Sequence, residues 1–538
     1  MGILVAAVLT ATLLVLYKLR NVGRRPKDFP PGPPTLPIIG NLHQMPKEKA
    51  HLQFKKWADE YGPVYSLMLG SSVMVVLSSD CAIKDLLDKR SDIYSSRPPL
   101  YIGQMLSGGL RMLLMEYGKT WRMIRGTVHN HLNIKASTSY VPYQDLENRQ
   151  MLLGFLDQPQ RWIDHLRRYT NSLTTQMVFG FRTTDVDDKD MHRLYTGFAG
   201  FSETLGSPEA HLLEAYPFLC HLPDALLPIK KRARELHEKE LQLFLGHWLN
   251  AKKKIQDGTA NPCICIDLAN SQNKEHFSDP LASYISGSLL EAGSDTTWST
   301  LVGWVQAMVL FPEVARKAQE EVDRVCGERF PMLEDEPNMQ YVRGCVKESM
   351  RWMPTAILGV PHAVIRDDMY MGYRIPKGAS VMWNVWGVHN DESRFPNPRV
   401  FDPTRYADDF QSAAEAAKNG DATKRDHFLF GAGRRVCQGM HIAERSLFLA
   451  YSRLLWAFNF ETEKDENGEE MRVDADELTE GVFVQPKKFS VRIVKRSEER
   501  AATLRREWEN VADKLDEEGQ WKRVPEGMYF KEYIPLGT

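Results

Sequence analysis

Phe430-Gly431-Ala432-Gly433-Arg434-Arg435-Val436-Cys437-Gln438-Gly439 is the stretch on which the reading of this 538-residue chain turns. Gly431 and Gly433 let the backbone turn tightly and come close to a flat ligand. Cys437 stands just before Ile442, Ala443, Leu447, Leu449, Ala450 and Leu454, which have the spacing of an amphipathic helix. A sulfur at a helix N-terminus, beside Arg434 and Arg435, is favoured as thiolate by the dipole and the positive charge. A thiolate held in a loop of backbone N–H groups is a good iron ligand. A lone cysteine in a Gly-rich turn would be read as a structural thiol; this whole string is not.

Upstream, Leu281 to Leu310 is long, mostly apolar and nearly free of charge, which predicts a buried helix. Inside it sits Ala292-Gly293-Ser294-Asp295-Thr296-Thr297. Gly, Asp and Thr are poor helix formers, and Thr can bond back to a carbonyl and bend the helix. A rule broken inside an otherwise consistent element marks a functional site. Glu291, one turn before Asp295, is a further acid with no evident task.

The rest of the chain is mostly helical with a minor sheet part. Strands are expected at Val64 to Leu69 and Val73 to Leu77, and again around Ala363 to Ile375 and Phe489 to Val494. Helices are expected over Ile229 to Lys254 and Pro312 to Val325. The apolar run Ile3 to Tyr17 precedes Lys18, Arg20, Arg24, Arg25 and Lys27. The basic residues follow the run and no small-residue cleavage site appears, so residues 1–25 read as a membrane anchor rather than a signal peptide. Residues 26–40 hold Pro30-Pro31-Gly32-Pro33-Pro34, a stiff hinge. Residues 41–495 form the main body. In the extension 496–538, Leu504, Trp508, Val511 and Leu515 fall on one helical face. With 68 basic and 70 acidic residues, nothing points to nucleic acid. Seven scattered cysteines suit a reducing compartment. Cys263 and Cys265 lie in a polar stretch without a second pair at zinc spacing, and read as a loop.

The 430–439 string resembles the haem-binding loop of the cytochrome P450 family at every fixed position: Phe430, Gly433, Arg435, Cys437 and Gly439. The resemblance implies the P450 fold and haem b ligated by Cys437, and thiolate ligation favours O–O cleavage. Ala292–Thr297 is similar to the family's Ala-Gly-x-Asp-Thr-Thr string, implying an acid–alcohol proton relay at Asp295 and Thr296. Glu348 and Arg351 resemble its Glu-x-x-Arg pair, and Phe401 to Tyr406 its Phe-x-Pro-x-Arg segment. This implies that Arg405 joins Glu348 and Arg351 in a structural network. Trp121 and Arg125 resemble its Trp-Arg-x-x-Arg helix, and His362 occupies a further propionate-binding place.

The activity implied is insertion of one oxygen atom from O2 into a lipophilic substrate. The pocket is expected after Tyr101 and at Ser286–Ala292, Ala356–Val360 and Gly481–Val484. No Gly-x-Gly-x-x-Gly string is present, so electrons come from a separate NADPH-cytochrome P450 reductase, with cytochrome b5 as a second candidate donor. The anchor implies the endoplasmic reticulum membrane, crossed once, with the main body in the cytosol. The stretch from Tyr216 to Pro228 resembles filamentous-fungal members of secondary metabolism. Two other readings stand beside this one: a haem-thiolate isomerase or dehydratase that uses no O2, and a non-catalytic haem sensor.

Overall fold

In a computed structural model the described residues are 21–528 and 532–535. Most of the segment read as a membrane anchor, residues 1–20, lies outside them. Among the described residues no helix is long and apolar enough to cross a membrane.

The longer helices are α1 (Ala50–Tyr61), α2 (Lys119–Leu132), α3 (Val141–Asp157), α4 (Trp162–Phe179), α5 (Lys189–Leu205) and α6 (Pro228–Gln256). They continue with α7 (Ile264–Glu275), α8 (Asp279–Leu310), α9 (Pro312–Cys326), α10 (Gln340–Trp352), α11 (Met440–Ala457) and α12 (Glu498–Ala512). The strands are short: β1 (Val64–Leu69), β2 (Ser72–Leu77), β3 (His362–Ala363), β4 (Asp368–Tyr370), β5 (Tyr373–Ile375), β6 (Ser380–Trp383), β7 (Phe458–Glu461) and β8 (Arg492–Lys495). One sheet has the order β1-β2-β6-β3, with β2 and β6 parallel. Two hairpin-like pairs, β4-β5 and β7-β8, stand apart from it. The expected strands are present, and β6 and β7 are two more that the sequence reading did not single out.

Helix α8 is the axis. Its 32 residues span about 48 Å. The Ser278 side chain caps its start by accepting from the Leu281 N–H, and the helix ends just before Pro312. Its second half is buried on all sides, as its composition requires. There Trp304 stacks on Tyr451 of α11, with ring centroids 4.2 Å apart. Its first half meets α6 and α7, where Phe244 and Trp248 are fully buried. Gly293 allows α4 to cross closely, since a Cβ there would lie 2.7 Å from the Thr174 hydroxyl.

Cys263 and Cys265 correct the loop reading. Cys263 is the residue before α7, Cys265 lies inside it, and both are buried. The apolar stripe Ile264, Leu268, Ala269 was masked by the polar residues between its members. The prolines 30–34 are extended but fastened. Ser66 donates its N–H to Pro31 and its hydroxyl to Pro30, while Arg25 and Asn41 hold the carbonyls of residues 32–34. Helix α12 lies against α3, where Arg149 pairs with Glu507. Beyond it, Trp521 donates to Gln176 at 2.7 Å, and Gln520 makes two bonds to the backbone of Arg182. Gln176 and Arg182 in turn hold the buried Glu147.

Glu348 and Arg351 are both fully buried on α10. Two bonds of 2.7 Å join them, and Arg351 also reaches the carbonyls of His389 and Pro398. Glu348 accepts further from Arg405, the Tyr406 hydroxyl and the Asp402 N–H. The same spacing at Glu321 and Arg324 gives only a 3.7 Å pair whose arginine is two-thirds exposed. Arg351→Ala leaves a buried carboxylate without its main partner, a loss of about 3–5 kcal/mol against a typical total of about 5–15. Thermal unfolding and the yield of folded protein should both drop sharply. A normal melting curve would mean that Arg405 and Tyr406 suffice.

Candidate active site

The loop before α11 is shaped by one close contact. Gly433 has a φ of 61°, and a Cβ there would lie 1.9 Å from the Leu87 carbonyl oxygen, so only glycine fits. Its N–H donates to the Asp88 carboxylate. Gly433 to Arg435 form a single 3-10 turn, and the Cys437 N–H closes the loop by donating to the Phe430 carbonyl at 2.8 Å. Gly439 adjoins the first residue of α11 without needing a left-handed conformation. Cys437 lines a recess of about 630 Å³ together with Arg125, Gly433, Val436, Gln438 and Met440. Burial pushes its thiol up, while the N–H groups of Gly439 and Met440 and the charge of Arg125 pull the other way.

The arginines do not divide as the sequence suggested. In a 3-10 turn successive side chains point about a third of a turn apart. Arg434 therefore swings out to the Tyr117 hydroxyl at 2.8 Å. Arg435 turns in and donates to the carbonyls of Ser95 and Met115 at 2.8 and 2.7 Å, with its guanidinium 4.2 Å from the Trp121 ring. The cation acting on the sulfur is Arg125, from α2, which also donates to the Val436 carbonyl.

A third arginine, Arg97, went unnoticed in the sequence. It is 5% exposed and donates to the carbonyls of Leu113 and Pro361. Burial, then Arg435 and Arg125, pull its pKa down. Burial and Arg125 lower Arg435 to about 9. Among the described residues, none of the three forms an ion pair with a carboxylate. His362 adjoins them on β3: its Nδ1 lies 2.6 Å from the Tyr94 carbonyl, and its buried Nε2 has no partner. Like charges held close together, one of them buried and two partly so, without counterions call for an anion. The site suits a group with a thiolate-binding metal at one point and carboxylates at another. Trp121, Arg125, His362, Arg435 and Cys437 are thus brought together, with Arg97 added.

Asp295 and Thr296 belong to the face of α8 that is not sealed. Glu291 and Ser294 are buried, but Ala292 is exposed and Asp295 and Thr296 are partly so, in the middle of an otherwise enclosed helix. This turn is the least covered part of the middle of the helix. The Thr296 hydroxyl donates to the Ala292 carbonyl at 2.7 Å. Burial raises the Asp295 carboxyl to about 7, and Arg167 from α4 opposes the rise. Arg167 lies over the rings of Trp298 and Tyr195. Of the expected pocket stretches, those after Tyr101 and at 356–360 meet the one at 481–484: Val482 and Phe483 pack against the cluster of Ile102 and Leu106 and against that of Val360. Ser286 is an exception, since it is fully buried and bonds back to Ala282.

The family model for cytochrome P450 matches residues 30–493. The chain is 57% identical over 97% of its length to cytochrome P450 monooxygenase virE of Hypocrea virens, of which 96% is covered. It is 53% identical to cytochrome P450 monooxygenase fogE of Aspergillus ruber, over 98% of each chain. A solved zebrafish cytochrome P450 with abiraterone superposes with a TM-score of 0.66 at 22% identity. That superposition covers 83% of this chain and all of the zebrafish one.

Proposed function

Because the chain belongs to the cytochrome P450 family of haem-thiolate monooxygenases, we propose that it oxidises a lipophilic small molecule with O2, in fungal secondary metabolism. The observation that carries this reading is Cys437 beside an arginine cluster that lacks counter-charges. Cys437 binds the haem iron, and Arg97, Arg125, Arg435 and His362 hold the propionates. Bound there, haem supplies the redox chemistry that splits O2, sending one oxygen atom to the substrate and the other to water. The Phe430 carbonyl and the Gly439 and Met440 N–H groups hold the sulfur in position. Asp295 passes protons, and Thr296 orients them at the open turn of α8.

The recess at Cys437 carries Lys84, Arg125, His129, Lys418, Arg425 and His441 against one acid, Asp88. That balance suits an electron donor with an acidic face, namely an NADPH-cytochrome P450 reductase or cytochrome b5. A second surface is apolar. Phe218 and Leu226 are 69% and 66% exposed, and the Tyr216 hydroxyl ties their segment to Ile38, which is itself exposed. This patch, joined through the Ile38 N–H to the Val22 carbonyl, dips into the membrane interface. The enzyme is held there, at the endoplasmic reticulum, with its body in the cytosol.

Cys437→Ala should abolish the thiolate-type spectrum of the reduced carbon monoxide complex. Retention of that spectrum would remove Cys437 as the ligand. Thr296→Ala should leave that spectrum intact but waste electrons, so NADPH, peroxide and product are measured together. Full product per NADPH would place the relay elsewhere. Phe218→Asp with Leu226→Asp should weaken flotation with liposomes. Unchanged flotation would leave membrane binding to residues 1–25 alone.

A further inference from the structure

Glu291 has a setting that the monooxygenase reading does not use. Arg111, from the segment between Ser107 and α2, is 1% exposed and donates to two carboxylates at once. One is Glu291 of α8 and the other is Glu240 of α6, with side chains 7% and 9% exposed. The guanidinium lies 4.0 Å from the Phe201 ring of α5, which closes that side. Two carboxylates on one cation leave an excess negative charge in a place where charge is costly. The least expensive remedy is to keep one proton on the pair.

The cluster connects in both directions. Glu291 lies one turn before Asp295 on the same helix, and the two carboxyls feel each other. On the other side Glu240 adjoins Tyr284, whose hydroxyl is 2.7 Å from Nδ1 of His237. His237 is half-buried and reaches toward the surface of α6. The groups facing Glu291 are Arg111 and Glu240 from other segments and Asp295 and Tyr284 from its own helix; Arg167 faces Asp295.

We propose that Glu291, clamped with Glu240 on Arg111, keeps its proton near neutral pH and hands it to Asp295 during turnover. The O–H bond on Glu291 breaks and one forms on Asp295. The proton lost is replaced from solvent by way of His237, Tyr284 and Glu240. Arg111 itself stays charged throughout and only fixes the two acids. No electron moves in these steps. Burial and Glu240 raise the Glu291 carboxyl to about 8, against the pull of Arg111, so the store is full below that pH and empties above it. The inference rests on the monooxygenase reading, which supplies the demand for protons.

The test uses solubilised haem-loaded protein, wild type beside Glu291→Gln and Glu240→Gln. Resting protein is followed by the infrared carbonyl stretch of protonated carboxyls across pH, which needs no turnover. Wild type should show at pH 7 a band that fades only as the pH climbs through about 8, above the signal of Asp295 that fades through about 7, and this later-fading band should be missing in Glu291→Gln. In Glu240→Gln the like charge is gone, so the band should fade at lower pH than in wild type. With reductase, NADPH consumption by Glu291→Gln should fall on the order of tenfold, less than the ~100-fold or more lost with a group acting directly on the reacting atoms. Its alkaline limb should disappear and its solvent isotope effect should rise, with the carbon monoxide spectrum unchanged. Identical bands and pH profiles in wild type and Glu291→Gln would reduce the cluster to a structural clamp. Should Glu291→Gln fail to fold, an unshifted band in Glu240→Gln overturns the proposal on its own. Failure of the monooxygenase reading would look different: wild type and variants alike would consume no NADPH.

Discussion

Three guanidiniums held close together, with no carboxylate paired to them among the described residues, are the constraint on which the site depends. Arg97, Arg125 and Arg435 repel one another; backbone carbonyls hold all three, and the Trp121 ring adjoins Arg125 and Arg435. Those carbonyls belong to residues 95, 112, 113, 115, 360, 361 and 436, so the arginines also tie together segments far apart in the chain. On the proposed reading, the two carboxylates of haem would supply the counter-charge to these arginines, and so would add to the stability of this region as well as to its chemistry.

How much of this was legible in the sequence depended on whether partners were local. The loop at 430–439 and the string at 292–297 could be read because their residues are consecutive. The Glu348 and Arg351 spacing recurs in the chain, and only burial and the company of Arg405 and Tyr406 separate the structural pair from surface ones. Arg97, Arg111 and Glu240 carried no signal, because their partners come from distant elements. Arg434 and Arg435 misled for the opposite reason: adjacent in sequence, they point apart in a 3-10 turn.

The string at 292–297 breaks helix preferences for two separate reasons. Gly293 is there for packing, since α4 crosses too close for any side chain. Asp295 and Thr296 lie on the partly open turn, and helix stability is given up there for polar groups that the proposed proton relay would use. One short motif thus serves the architecture on one face and, on the proposed reading, the chemistry on the other.

The attachment of the C-terminal segment has a consequence for how the protein is made. Trp521 and Gln520 complete the hydrogen bonding of Gln176 and Arg182, which hold the buried Glu147 at the junction of α3 and α4. These helices leave the ribosome well before residues 520 and 521 are made. The junction therefore stays incompletely satisfied over that interval, and its hydrogen bonding is completed late, by a segment made long after the helices it serves.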